Sequence, residues 1–330
     1  MRFDSPWDRQ KPMYRIAILE EFHKSGLQLF DNSKEFKYDI INDVSEENLI
    51  NILPQYDGCT LRVSNLTENI LKKCDKLKVI SRHGVGYDNV HLETLKKKNI
   101  SLMITANANA IAVAEHVMYM MLSISKGIVS HDNSVRKGLF KKGIKDIQTL
   151  ELNKKEILIV GFGRIGKSLI KICKSFDMKI NIFDPYVDNM MVNSFGCNKV
   201  NDLNVAFKSA DYISLHVPLN DKTKNLINMN SLKNMKKNTI IINTARGGIV
   251  NEKDLDKALR EKIIFGAGID VFEKEPINLE NPLIKNDRVL LSPHSATFTD
   301  ECKIRMAKQT VQNLIDFFKN KIDKSTLVKL

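Results

Sequence analysis

Short apolar pulses alternate with segments of helical spacing from about residue 14 to the far end of the chain. The run YRIAIL at 14–19, rich in aromatic and β-branched residues, predicts a first strand. Further pulses at 38–41, 57–61, 79–81 and 101–104 predict more strands, and 46–53 and 69–74 carry the helical pattern between them. A long segment at 109–125 is apolar on most faces and predicts a helix buried between layers. After a polar stretch at 137–153, a stronger series opens with EILIV at 156–160. It predicts strands at 180–183, 212–215, 239–243, 266–269 and 289–291. A last amphipathic helix is predicted over 300–319, with Ile304, Ala307, Val311, Leu314, Phe317 and Phe318 on its apolar side. Strand and helix taking turns argue for two α/β units, each a parallel sheet covered by helices.

With 330 residues, 43% of them hydrophobic, the chain is comfortable for two domains with real cores. The 51 Lys+Arg against 39 Asp+Glu leave a net charge of +12, which raises nucleic acid, membrane surfaces and anionic substrates as partners. The lysines are scattered, as at Lys96, Lys97, Lys98, Lys236 and Lys237, so the charge reads as a solvated surface and no nucleic-acid partner is expected. The five cysteines, Cys59, Cys74, Cys173, Cys197 and Cys302, form no CxxC pair and no metal-ligand spacing. They read as thiols in a reducing compartment, with no metal site. The best apolar run, 111–122, is broken by Glu115 and His116, so no membrane partner is expected. The first residues carry Asp4, Pro6 and Asp8 with no apolar core behind a basic start; no signal peptide and a cytoplasmic location are expected.

Gly161-Phe162-Gly163-Arg164-Ile165-Gly166 is a GxGxxG that follows the strand predicted at 156–160 and opens the apolar-periodic segment 167–176. That context is the dinucleotide fingerprint. The first glycine permits the tight turn, the second lets backbone approach a pyrophosphate, and the third allows close helix–strand packing. The phosphates then meet free N–H groups at a helix N-terminus. The next strand ends at Asp184, at the spacing of a carboxylate that binds the adenosine ribose. A carboxylate repels a 2′-phosphate, and Pro185-Tyr186 follow with no arginine, so NAD is expected over NADP.

Seven segments together resemble the D-isomer-specific 2-hydroxyacid dehydrogenase family, which includes short-form D-3-phosphoglycerate dehydrogenases and glyoxylate/hydroxypyruvate reductases. They are RHGVGYDNV (82–90), ANAIAVAEH (108–116), GFGRIG (161–166), HVPLNDKTKNLIN (216–228), NTARGGIV (243–250), GAGIDVFEKEP (266–276) and SPHSA (292–296). The resemblance runs from about residue 55 to 300 and implies an α/β fold of two Rossmann-like, doubly wound parallel-sheet domains with a cleft between them. A substrate (flavodoxin-like) domain, 1–106 with 294–330, is interrupted by an NAD-binding Rossmann domain, 107–293, and the crossings near 106 and 294 are the expected hinges. A homodimer through the long helix is also implied.

The resemblance further implies an NAD-dependent, reversible reduction of a 2-oxo acid to a small D-2-hydroxy acid, with 3-phosphoglycerate, glyoxylate and hydroxypyruvate chemistry as candidates. His294 resembles the general acid/base, a task suited to an unperturbed pKa of roughly 6.5. Glu275 resembles the carboxylate that holds the imidazole and favours imidazolium. Arg246 resembles the forked cation that grips the substrate carboxylate and polarises its carbonyl. Val85 and Gly86 are expected to hold the same carboxylate through backbone N–H groups. Cofactor contacts are implied for Gly161, Gly163, Arg164, Ile165, Gly166, Asp184, Pro185, His216, Val217, Pro218, Thr223, Thr244, Ala245, Asp270 and Ala296. Of these, Asp270 is expected to orient the nicotinamide carboxamide, and His216 reads as structural or cofactor-lining. His23, His116 and His131 read as surface or core residues. His83 is expected near the substrate's distal end, favouring an anionic or hydroxylated tail.

Many relatives carry Pro-Gly where this chain has Ala106-Asn107, and Asp where His91 stands; neither departure touches the proton chemistry. Three alternatives remain beside the dehydrogenase. Formate enzymes of the superfamily carry Gln where Glu275 stands, which argues against them here. Phosphite oxidation is compatible with the triad. An NAD-sensing corepressor-like binding protein is opposed by the lack of long disordered tails. No regulatory small-molecule domain is expected beyond residue 330, so end-product feedback is not expected either.

Overall fold

The computed structural model describes residues 13–140 and 148–330. The leader residues Asp4, Pro6 and Asp8, and the middle of the polar stretch at 137–153, lie outside the described residues. The chain divides into two compact units, 1–109 with 299–330 and 110–298, whereas the resemblance implies crossings near 106 and 294.

The first unit runs β1 (Tyr14–Leu19), α1 (Leu27–Asp31), β2 (Phe36–Ile41), α2 (Glu46–Ile52), β3 (Gly58–Leu61), α3 (Glu68–Lys73), β4 (Val79–Arg82), α4 (Leu92–Lys98) and β5 (Ser101–Ile104). Its strands pair in parallel in the order β2-β1-β3-β4-β5, a doubly wound sheet of flavodoxin type. Side-chain alternation along β1 splits the core in two. Ala17 and Leu19 pack with Leu49, Ile70 and Leu95 on one face, whereas Ile16 and Ile18 pack on the other with Phe30, Val311 and Leu314. Those last two residues belong to the C-terminal helix (Asp300–Phe318), which supplies its apolar stripe to this unit and is capped by the Thr299 hydroxyl.

The second unit runs α5 (Ala110–Ser125), α6 (Ile128–Arg136), β6 (Glu156–Val160), α7 (Arg164–Ser175), β7 (Lys179–Phe183), α8 (Asn189–Ser194), β8 (Asn198–Lys199), α9 (Leu203–Ser209), β9 (Tyr212–Leu215), α10 (Met229–Lys233), β10 (Ile240–Asn243), α11 (Glu252–Arg260), β11 (Gly266–Ile269) and β12 (Val289–Leu291). Its seven parallel strands lie in the order β12-β11-β10-β9-β6-β7-β8. In β6, Ile157 and Ile159 point to the layer of α5 and α7, while Leu158 and Val160 point to that of α9, α10 and α11. Both faces of the sheet are therefore apolar, which is why its strands read as continuous hydrophobic runs. The strand order reverses between β9 and β6, and ligands of open α/β sheets bind beyond the carboxyl ends of the strands at such a point. Among the described residues, no helix is long and apolar enough to cross a membrane.

Candidate active site

The turn after β6 is shaped by its glycines. Gly161 sits at φ +106, a region that L side chains rarely adopt, and a Cβ there overlaps the His216 carbonyl. A Cβ on Gly166 overlaps the Gly161 carbonyl, so the third glycine lets α7 press against the strand. Over Gly163 the space is open, with nothing within 4 Å of an added Cβ, and no side chain caps the start of α7. Backbone N–H groups and the helix dipole thus face open space, the setting that suits an anion. At the end of β7, the half-buried Asp184 accepts hydrogen bonds from the N–H groups of Phe162 and Tyr186, both at 2.9 Å. Its carboxylate locks the two strand ends that flank the turn.

The end of β9 carries His216, whose Nε2 lies 2.8 Å from the Ser214 hydroxyl. Burial pushes its pKa down to about 4, so the ring is neutral. Its Nδ1, and the Thr244 hydroxyl beyond β10, are buried polar atoms with no hydrogen-bond partner among the described residues. Such groups take a partner from outside the chain, a water or a ligand. The open cradle over Gly163 and these two atoms along one sheet edge fit a dinucleotide. Val217, Pro218 and Ala245 flank them in sequence, and Thr223 is drawn in by its hydroxyl, which donates to the Pro218 carbonyl at 2.5 Å. Arg164 and Ile165 open α7, with Arg164 exposed and Ile165 half-buried, and Pro185 follows Asp184 on the surface.

Beyond β10 and β11 stand Glu275 and His294. His294 Nδ1 lies 2.7 Å from Glu275 Oε2, and the Phe272 N–H donates to Glu275 Oε1 at 3.0 Å. Burial raises the Glu275 pKa. The hydrogen bonds from His294 and Phe272 and the charges of His294 and Arg246 outweigh it and hold the carboxyl below its ordinary range. An ionised Glu275 only accepts, so His294 donates to it through Nδ1–H and leaves Nε2 outside the pair. Arg246 is half-buried, and one guanidinium nitrogen donates to the Ala245 carbonyl at 2.6 Å. Glu275, His294 and Arg246 are therefore brought together at one strand edge.

Asp270 ends β11 with a fully buried side chain. Its carboxylate takes the Ser292 hydroxyl and the N–H groups of Ser295 (2.8 Å) and Ala296 (3.1 Å). The sequence offered no sign that Asp270 organises the loop that carries His294. Nor did it show His116 Nε2 at 3.0 Å from Ser292 Oγ, across 176 residues. In the first unit, His83 stacks on Phe22 with centroids 5.3 Å apart and places Nδ1 2.9 Å from the Thr310 hydroxyl. Burial, then the charges of Arg62 and Arg82, push its pKa down to about 3. Val85 and Gly86 follow Gly84, which adopts φ +152 beside the Arg82 guanidinium.

The profile of the D-isomer specific 2-hydroxyacid dehydrogenase NAD binding domain matches residues 118–296. The chain is 35% identical over 292 residues to a D-3-phosphoglycerate dehydrogenase of Methanocaldococcus jannaschii, covering 88% of this chain and 55% of that protein. It is 36% identical over 319 residues to a glyoxylate reductase of Thermococcus litoralis, covering 95% of this chain and 93% of the relative. A crystal structure of the TT0316 protein of Thermus thermophilus superposes with a TM-score of 0.84 at 26% identity, over 96% of this chain and all of that one. The chain spans about half the length of the phosphoglycerate dehydrogenases it matches. A profile spanning more than half of the chain, relatives aligned along nearly its whole length and a fold of two doubly wound sheets agree: the chain belongs to the D-isomer specific 2-hydroxyacid dehydrogenase family, and 118–296 carries that family's NAD-binding domain.

Proposed function

We propose that the chain is an NAD-dependent oxidoreductase acting reversibly on the CH–OH of a small D-2-hydroxy acid. The observation that carries this reading is the Glu275–His294 pair standing with Arg246 at the same sheet edge as the glycine cradle. When bound, the nicotinamide supplies a hydride to the substrate's 2-carbon, or takes one from it. His294 gives a proton through Nε2 to the carbonyl oxygen in reduction and removes it from the hydroxyl in oxidation. Glu275 keeps Nδ1 protonated and the ring in one orientation, so the reacting nitrogen always faces outward. Arg246 pairs its fork with the substrate carboxylate, which fixes the 2-carbon and supplies the proximity part of the rate. Val85 and Gly86 keep the role their motif implies, backbone donors to that carboxylate. Orphaned Nδ1 of His216 and the Thr244 hydroxyl hold the cofactor's polar groups, whereas Asp270, expected from its motif to orient the carboxamide, is fully buried and spends both carboxylate oxygens on Ser292, Ser295 and Ala296, so it serves the site through the loop it holds.

The motif implies that His83 stands near the substrate's distal end, and Arg62 and Arg82 lie beside it in the first unit. His83 is neutral near pH 7 and would offer a hydrogen bond, not a charge. A second anionic group on the 2-oxo acid, as in phosphohydroxypyruvate, would suit the two arginines. The exposed Ile111 and Tyr119 of α5 and Ile128 and Val129 of α6 support a homodimer. The five buried free thiols support a reducing, cytoplasmic setting.

The test is an initial-rate panel with NADH and NADPH on glyoxylate, hydroxypyruvate, phosphohydroxypyruvate and a sulfonated analogue, with Arg246→Lys alongside. NADH-dependent turnover, fastest on an anionic-tailed substrate and with a raised substrate KM in Arg246→Lys, supports the reading. Tight NADH binding with no turnover on any of the panel moves the chain toward the NAD-sensing binding protein.

A further inference from the structure

We propose that His116, on α5, is a positioning residue that acts through Ser292 and Asp270 to hold the loop carrying His294. The inference rests on the dehydrogenase reading for its kinetic arm, and on geometry alone for its structural arm.

His294 lies at φ +51, in the left-handed region, although it carries a Cβ. Such a conformation costs energy and persists only while the surroundings dictate it. Asp270 supplies ties on both sides of it. The His294 N–H donates to the Asp270 carbonyl at 2.8 Å, and the Asp270 carboxylate gathers the Ser292 hydroxyl with the N–H groups of Ser295 and Ala296. Both residues flanking Pro293-His294 are thus fixed to the end of β11.

The Ser292 hydroxyl has a single proton, and Asp270 takes it. The 3.0 Å contact between Ser292 Oγ and His116 Nε2 therefore requires the ring to be the donor. This fixes His116 as the Nε2–H tautomer. Burial lowers its pKa against the pull of Asp270, whose Oδ1 lies 3.7 Å from Nε2, so the ring stays neutral and donates without adding charge to the site. Tyr119, one turn along α5, packs its ring 5.5 Å from the imidazole and limits its rotation. A chain of donors runs from α5 through Ser292 to Asp270. Without the first donor, the Ser292 hydroxyl is free to turn away from the carboxylate, and the loop loses one of its ties. Among the described residues the hydrogen bond and ion pair of His116 run to Ser292 and Asp270, so its effect on the reaction is through position.

Two variants test this. His116→Phe removes the donor, and His116→Gln returns an N–H at the place of Nε2. Hydrogen exchange at the Ser295 and Ala296 amides is expected to quicken about tenfold in His116→Phe and to return toward the parent rate in His116→Gln, as the loss and recovery of one hydrogen bond require. Long-range ¹⁵N–¹H spectra of the parent should show the Nε2–H tautomer at pH 7. In the active protein, kcat is expected to fall about tenfold in His116→Phe with both KM values within twofold, the isotope effect with deuterated NADH to rise, and His116→Gln to recover most of the rate. Unchanged exchange in His116→Phe, an Nδ1–H tautomer, or a Gln variant as impaired as the Phe variant overturns the proposal. A parent protein inactive on every 2-oxo acid overturns the dehydrogenase reading instead, and the exchange result then decides the positioning claim by itself.

Discussion

Replacing Gly163 by alanine separates cofactor binding from folding. Gly163 caps α7 at φ −77 and ψ −164, a conformation open to any residue, and an added Cβ meets nothing within 4 Å. Folding should be unharmed, and the lower freedom of the unfolded chain is expected to add roughly 0.4–1 kcal/mol of stability. The methyl group nevertheless fills the space a pyrophosphate needs to reach the helix amides. Loss of one charge-assisted hydrogen bond costs about 1.5–3 kcal/mol, which predicts a roughly 10- to 100-fold rise in the NADH Kd. Gly161→Ala is the contrast. There the left-handed φ of +106 costs any side chain about 1–2 kcal/mol, and the Cβ overlaps the His216 carbonyl, so stability itself should fall. NADH fluorescence titrations beside thermal melts read both effects. An unaltered Kd in Gly163→Ala, or a melting point lowered as far as in Gly161→Ala, refutes the reasoning.

Three further outcomes are expected. His294→Gln should lower kcat by roughly 10²- to 10⁴-fold with NADH affinity unchanged, measured by steady-state rates and fluorescence titration. Asp184→Ser removes the carboxylate that repels a 2′-phosphate, and the preference for NADH over NADPH in kcat/KM should shrink by about tenfold or more. Acid should weaken the fold through two histidines. His83 and His216 stay neutral when folded down to pKa values near 3 and 4 but take up a proton near pH 6.5 when unfolded. Unfolding thus binds protons below pH 6.5, and stability is full above that pH and falls as the pH drops. The loss between pH 6.5 and 5 is at most about 2 kcal/mol for each ring, seen as a falling melting point that flattens in the corresponding Gln variants.

Much of the fold was legible because the sheets are buried on both faces. The strands Tyr14–Leu19, Ser101–Ile104, Glu156–Val160, Tyr212–Leu215, Gly266–Ile269 and Val289–Leu291 stand where the apolar runs put them. The short helices did not announce themselves. Asn189–Ser194, Leu203–Ser209 and Met229–Lys233 are too brief to show a period, and side-chain caps from Asp188, Asp202 and Asn228 start them. The helix Ile128–Arg136 follows the long helix after a left-handed Gly127, and its exposed valines blur the apolar stripe.

The site divides in the same way. The glycine turn shows in sequence because its parts are neighbours along the chain. The Glu275–His294 hydrogen bond spans 19 residues and was found through motif resemblance alone. Asp270 as the anchor of the His294 loop, and His116 behind it, depend on contacts across 22 to 176 residues that no local pattern encodes. His83 was expected near an anionic or hydroxylated tail; its neutral state follows from burial beside Arg62 and Arg82, which sequence spacing does not reveal.

The most direct test of the central claim follows the hydride itself. The protein is incubated with NADH deuterated at the transferable position and the best 2-oxo acid of the panel, and the product is resolved by chiral chromatography and mass spectrometry. The expected product is the D-2-hydroxy acid carrying one deuterium at the 2-carbon, formed at least about a hundredfold more slowly by His294→Ala. The L enantiomer, a product without deuterium, or an undiminished rate in His294→Ala contradicts the dehydrogenase reading.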